Sequence, residues 1–283
     1  MSTGAGAAPT PPQWGLWSQQ ALAVLRIELR KVFWGKRSFA LYLLCLGPLL
    51  LLAGRAFVLW RGWVREDPAA AAVFYANIYQ SFVLRFVLFF GCAWIFTNLF
   101  RGEILDRTLH FYFLSPIRRE VLVVAKFCSG LIAAVTFFGA TTAATLVLLY
   151  APYGASTAVE RVLGGSGIGT SVAYLGVTAL GCLGYGAVFL ATGLLVRNPM
   201  IPAVAILGWE SINFLLPPLL KKLSVIYYLV SLCPIPISQG PIALMADPTP
   251  AWISVPGLLA LTLGVLLVAR WRIRDAEISY GTD

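Results

Sequence analysis

Few side chains in this sequence could make or break a covalent bond. The single histidine, His110, follows Asp106 by one helical turn in a charged stretch, which makes it a solvated i,i+4 partner rather than a ligand or base. The five cysteines, Cys45, Cys92, Cys128, Cys182 and Cys233, are scattered, four of them in or beside apolar runs. They read as small buried apolar residues, not as a disulfide framework or a metal site. Neither His-Glu-x-x-His nor Gly-x-Ser-x-Gly occurs. Gly35-Lys36-Arg37-Ser38 lacks the upstream glycine and the ending of a phosphate-binding loop, and Gly164, Gly165, Gly167 and Gly169 lack dinucleotide-loop spacing. The expectation is therefore no catalytic residue and no metal ligand.

What remains is charge in two unusual settings. Glu210, with Asn213 one turn on, interrupts an apolar run, and Arg85 interrupts another. An ionisable group at mid-depth in a bilayer costs about 2.5 to 3.5 kcal/mol on insertion scales, so it faces a cavity or a partner. Two readings stand for Glu210: it lines a path or pairs with Arg85, or it is a neutral acid hydrogen-bonded between helices. The second setting is Phe100 to Lys126, FRGEILDRTLHFYFLSPIRREVLVVAK, the one long interval where charge and helical period coincide. Leu105, Leu109, Tyr112 and Phe113 recur at i, i+4, i+7 and i+8, with Glu103, Asp106, Arg107 and His110 opposite. That is a short amphipathic helix. Ser115-Pro116 stops it and gives the start signal for a second helix running toward Lys126. Its chemistry is recognition of a surface.

The elements that must position these residues follow from composition. With 283 residues, 59% hydrophobic, 12% charged and a mean hydropathy of +0.81, the chain has too few polar groups to cover a soluble globule. The expected class is an all-α polytopic membrane protein. Six spans are predicted, at about 38–60, 72–99, 127–150, 171–196, 200–220 and 253–270. Residues 1–17, rich in Gly, Ala, Pro and Thr, read as a disordered tail, and 18–283 as a single transmembrane domain. Between Ser18 and Gly35, Leu22, Leu25, Leu29, Val32 and Phe33 form one stripe and Arg26 and Arg30 another, which predicts an interfacial helix. Arg55 is expected to snorkel to the far interface. Residues 224–232 are apolar but too short to cross, and Pro234, Pro236 and Pro241 follow, so a re-entrant or interfacial hairpin is expected between spans five and six. The net charge of +9 belongs in loops facing an anionic leaflet rather than to nucleic-acid binding. Its distribution places both termini in the cytoplasm.

An N-terminal interfacial helix, six spans, an amphipathic segment between spans two and three and a broken hairpin between spans five and six resemble the permease (membrane-spanning) subunit of a type-2 ABC exporter. The resemblance covers nearly the whole chain from Ser18. Its most specific part is Glu103, then Arg107-Thr108-Leu109, then Ser115-Pro116-Ile117-Arg118-Arg119, then Lys126. This is similar to the family's acid, Gly-Thr-Leu-like step, proline followed by basic residues, and lysine entering span three. Arg107 departs from the pattern where the family often has glycine. The resemblance implies that residues 102–119 form a coupling helix docking on a separate ATPase, with Glu103, Arg107, Thr108, Leu109, Tyr112, Phe113, Pro116, Arg118 and Lys126 in that role. It implies two ATPase copies carrying ATP and Mg, and a second permease subunit in a homo- or heterodimer. Arg85, Glu210 and Asn213 become candidates for the substrate path. The chain is expected to bind no cofactor itself, to be no enzyme by itself, and to sit among lipids in the plasma (inner) membrane.

Two other classes compete with this one. An ATP-independent secondary transporter or channel predicts inverted repeats or several charges at midplane, and only Glu210 and Arg85 qualify. An intramembrane enzyme needs a nucleophile with its base or a metal cluster, and the sequence supplies neither.

Overall fold

The computed structural model describes residues 14–35, 38–105, 119–196, 200–213, 217–237 and 249–274, and among these every regular element is helical. The order is α1 (Trp14–Trp34), α2 (Ser38–Trp60), α3 (Pro68–Ile78), a π-helical stretch (Tyr79–Leu88), α4 (Phe89–Leu105), α5 (Arg119–Tyr150), α6 (Ala155–Leu163), α7 (Gly165–Leu195), α8 (Met200–Ser211), α9 (Pro218–Lys221), α10 (Val225–Ser231) and α11 (Ala251–Arg274). Five stretches are long and apolar enough to cross a membrane: Ser38–Trp60, Pro68–Leu99, Val121–Tyr153, Gly167–Leu194 and Ala251–Trp271. The near end of the bundle is the one where α4 stops and α5 starts, on either side of residues 106–118.

Two of the predicted boundaries move. Trp14 to Trp17, expected in the tail, belong to α1; residues 1–13 lie outside the described residues. The span predicted at 200–220 is not one helix. It stops at Ser211, only about 18 Å from its start at 1.5 Å per residue. Pro217 is extended and starts the four-residue α9, and neither Pro217 nor Pro218 can donate a backbone hydrogen bond to continue a helix.

Packing gives each helix its direction. Tyr79 meets Tyr174 with ring centroids 4.7 Å apart, Phe89 meets Tyr185 at 5.4 Å, and Phe96 covers Gly186. Span two and α7 therefore run side by side in the same sense. Glycine makes this possible at Gly193, where an added Cβ would stand 3.1 Å from the Thr97 Cα. After α7 the chain reverses, and α8 carries Glu210 back to Tyr185, about three turns from the end of α7. Then α10 takes over: Val225 packs beside Gly184, Leu229 beside Gly181, and Gln80 Nε2 donates to the Ile235 carbonyl at 2.7 Å. Helices α8 and α10 thus trace in two halves the path that one long helix would follow.

A buried hydroxyl ladder joins the far half of spans two, three and four. The Tyr75 hydroxyl lies 3.1 Å from Thr145 Oγ1, Tyr79 donates to the Tyr174 carbonyl at 2.9 Å, and Thr142 and Thr178 are 3.2 Å apart. At the far end Arg55 does not snorkel. Its guanidinium donates to Glu66 and to the Leu149 carbonyl and lies over the Phe74 ring, because partners from three elements converge there. Gly154 and Gly165 adopt positive φ on either side of α6, and at Gly164–Gly165 the chain turns from α6 directly into α7.

Helix α1 is aligned with α5 rather than lying across it. Val24 packs with Leu122 and Ala125, Glu28 bonds Lys126, and Phe33 stacks on Phe137 at 4.9 Å. The contacts advance together along both helices. Part of the apolar stripe expected to face lipid is therefore occupied by protein.

Candidate functional site

Two constellations collect the charged residues singled out above. The first closes the near end. Lys126, one of the largest fully buried side chains, is 0% exposed. Its ammonium donates to Glu28 Oε1 of α1 at 2.9 Å and to the Leu99 carbonyl of α4 at 2.7 Å. Glu28 is buried as well and also lies 3.4 Å from the Lys31 ammonium. A lysine with three donors on a flexible stem suits a point where three helices meet. Around it Phe96 contacts Phe127, and an added Cβ at Gly130 would stand 2.8 Å from both Leu99 and Phe96, so α4 and α5 approach closely.

The second constellation lies at mid-depth. The Glu210 carboxylate accepts from Ser224 Oγ at 2.7 Å and from the backbone N–H groups of Val225 and Ile226 at 3.0 Å each, with the Tyr185 hydroxyl at 3.5 Å. Those amides open α10. A helix start leaves N–H groups without intrahelical acceptors, and away from water each needs one. Ser224 sits at the N-cap, but its side chain does not cap its own helix. The carboxylate from α8 takes that place and bridges the break between the two half-helices. Glu210 is 7% exposed. Its oxygens are taken up inside the chain rather than turned to open space.

Arg85 is half-buried in the π-helical stretch and makes no ion pair with Glu210 among the described residues. Asn213 is buried just beyond α8, and its Nδ2 meets no hydrogen-bond acceptor among the described residues. Thus neither Arg85 nor Asn213 takes part in the capping contacts.

Residues 24–231 match the family model described as ABC-2 family transporter protein. The chain belongs to that family. No curated protein and no solved structure matches it. ABC-2 membrane subunits lack ATPase motifs and normally work with a separate ATPase subunit. The matched region opens inside α1 and closes at the end of α10, so it contains both constellations and excludes α11.

Of the residues assigned to docking by resemblance, Glu103 falls in the last turns of α4. Arg107, Thr108, Leu109, Tyr112, Phe113, Pro116 and Arg118 lie outside the described residues, as does His110. Lys126 differs from the rest. It is buried where α1, α4 and α5 meet. Glu28, Tyr185 and Ser224 were not picked out in the sequence. For Glu28 a signal existed: an acid on the same face as Ala21, Val24 and Val32 of an amphipathic helix is out of place unless paired. For Ser224 and Tyr185 no sequence signal announces a carboxylate arriving from a different helix.

Proposed function

We propose that this chain is the permease subunit of an ATP-driven ABC exporter, that residues 102–119 dock on the ATPase, and that two such subunits enclose the substrate path. Family membership supports the class. The observation that carries the docking role is the near-end arrangement, in which α4 and α5 are held together by Lys126 and Phe127 on either side of 106–118. A short segment tied to two packed helices transmits a rigid-body push that a loose loop would absorb. Leu109, Tyr112 and Phe113 supply apolar anchors, and Glu103, Arg107 and Arg118 steer the approach.

On this reading α8 and α10 make the fifth of six crossings in two halves, and both termini are cytoplasmic in the plasma membrane. ATP and Mg belong to the two partner ATPases. The faces of α2 and α11, largely unburied by the rest of the chain, meet lipid or the second permease, identical or not. Glu210 and Arg85 border the path without opening onto it in a single subunit.

The test is the double replacement Leu109→Asp and Phe113→Asp in the permease co-expressed with its ATPase. Co-purification of the ATPase should fall at least tenfold while membrane insertion is unchanged. Undiminished complex formation with undiminished ATPase activity would refute docking through this segment.

A further inference from the structure

We infer that Glu28 and Lys126 are positioning residues that make α1 a moving part of the coupling unit rather than a stationary anchor. This rests on the docking role proposed for 102–119. The juxtaposition behind it is a single ammonium that joins α1 to the ends of both helices leading into that segment.

A buried ion pair is weak evidence of stabilisation, because desolvating both charges costs about what their attraction returns. What it does impose is geometry. Lys126 is buried away from water, and its acceptors include Glu28 on α1 and the Leu99 carbonyl on α4. If α4 and α5 tilted together while α1 stayed behind, Glu28 would be withdrawn and its 2.9 Å bond to the ammonium broken inside the protein. Moving all three helices together keeps every bond. The surroundings favour the same unit: Val24 is packed with Leu122 and Ala125, Phe33 is stacked on Phe137, and the Tyr42 hydroxyl donates to the Phe33 carbonyl, which fastens the end of α1 to α2. Motion of the coupling segment is thereby passed to the start of span one as well as to spans two and three.

The experiment measures distances between pairs of spin labels in nanodiscs. One label replaces Ile27, exposed on α1, a second replaces His110, and a third replaces Val64, exposed beyond α2 at the far end. Cys128, the half-buried cysteine, is changed to alanine, while the other four are buried. The permease is examined alone and in complex with its ATPase, without nucleotide and trapped with ATP and vanadate. Trapping should move the 64–110 distance by about 5 Å, the scale of one helical turn, and leave 27–110 within about 2 Å of its starting value. In Glu28→Leu/Lys126→Met, which keeps the packing but removes the charges, the 27–110 distribution should broaden and shift on trapping. Glu28→Asp with Lys126 retained should restore much of the narrow distribution.

A 27–110 distance that changes as much as 64–110 in the parent protein would overturn the inference, since α1 would then be staying behind. So would a double variant indistinguishable from the parent. If the purified permease binds no ATPase, the docking role fails instead. The narrow 27–110 distribution of the permease alone, and its broadening in the double variant, then still report on the clasp.

Discussion

Replacing Glu210 should loosen α10 long before it unfolds the bundle. The carboxylate is the acceptor for the Val225 and Ile226 amides and for the Ser224 hydroxyl, at 2.7 to 3.0 Å. The hydroxyl can rotate toward another acceptor, but the amides cannot. Leaving a buried donor unsatisfied costs about 1 to 3 kcal/mol, so Glu210→Ala, which orphans both amides, should lower the free energy of local opening by about 2 to 6 kcal/mol. Glu210→Gln keeps one acceptor oxygen but turns an NH2 group toward the other amide, for about 1 to 3 kcal/mol. Cys233 supplies the assay. It is buried just past α10, with Sγ 3.4 Å from the Leu229 carbonyl, and becomes accessible when that half-helix lifts. In membranes carrying Cys128→Ala, its labelling by a permeant maleimide should quicken about 30-fold or more in Glu210→Ala, taking 1.4 kcal/mol as tenfold. Glu210→Gln should fall between the parent and alanine. Rates within about threefold of the parent for both variants would show that α10 is held by its apolar contacts and that the cap is incidental.

Other expectations come from matched pairs of substitutions. Tyr79→Phe removes a hydroxyl that donates to the Tyr174 carbonyl and lies 2.7 Å from Thr178 Oγ1, and should cost about 1 kcal/mol in thermal unfolding in detergent. Tyr174→Phe deletes a buried hydroxyl with no hydrogen-bond partner among the described residues, and should leave the melting temperature level or slightly raised. Gly193→Leu would drive a side chain into the Thr97 backbone and should abolish recovery of folded protein. Gly176→Ala, with nothing within 4 Å of its added Cβ, should be tolerated and stabilise α7 by up to about 1 kcal/mol, read as a higher melting temperature.

The apolar runs that form α2, α5, α7 and α11 were legible because each helix contains an apolar stretch long enough to cross a membrane without a break. Residues 200–220 read as equally continuous, since Glu210, Ser211 and Asn213 are the three polar residues in that run, yet they mark the place where the helix ends. An acid deep in an apolar stretch was seen to need partners; that those partners are the first amides of another helix depends on a return of the chain that periodicity does not encode. Span two shows the same limit differently. Predicted at 72–99, it runs from Pro68 to Leu99, 32 residues and more than a perpendicular crossing needs, and a π-helical stretch at Tyr79–Leu88 takes up part of that length by widening the turn.

Lys126 shows why the near end was only half readable. Its place at the entry to span three marked it as part of the coupling region, and a surface lysine there would serve to attract a partner. In this chain it is buried instead. Glu28 is 98 residues away in sequence, and each residue alone looks like one more charge beside an apolar run. Only the alignment of α1 with α5 brings them together, and that alignment follows from the apolar contacts of Val24 and Phe33 rather than from the charges. The pair then fixes what those contacts leave free. Apolar faces can slide by a turn at little cost, whereas an ammonium bonded to both Glu28 and Leu99 has one position that satisfies it. Electrostatics in this protein therefore specifies register where hydrophobic packing supplies adhesion, and the register it specifies is that of the three helices that meet beside residues 106–118.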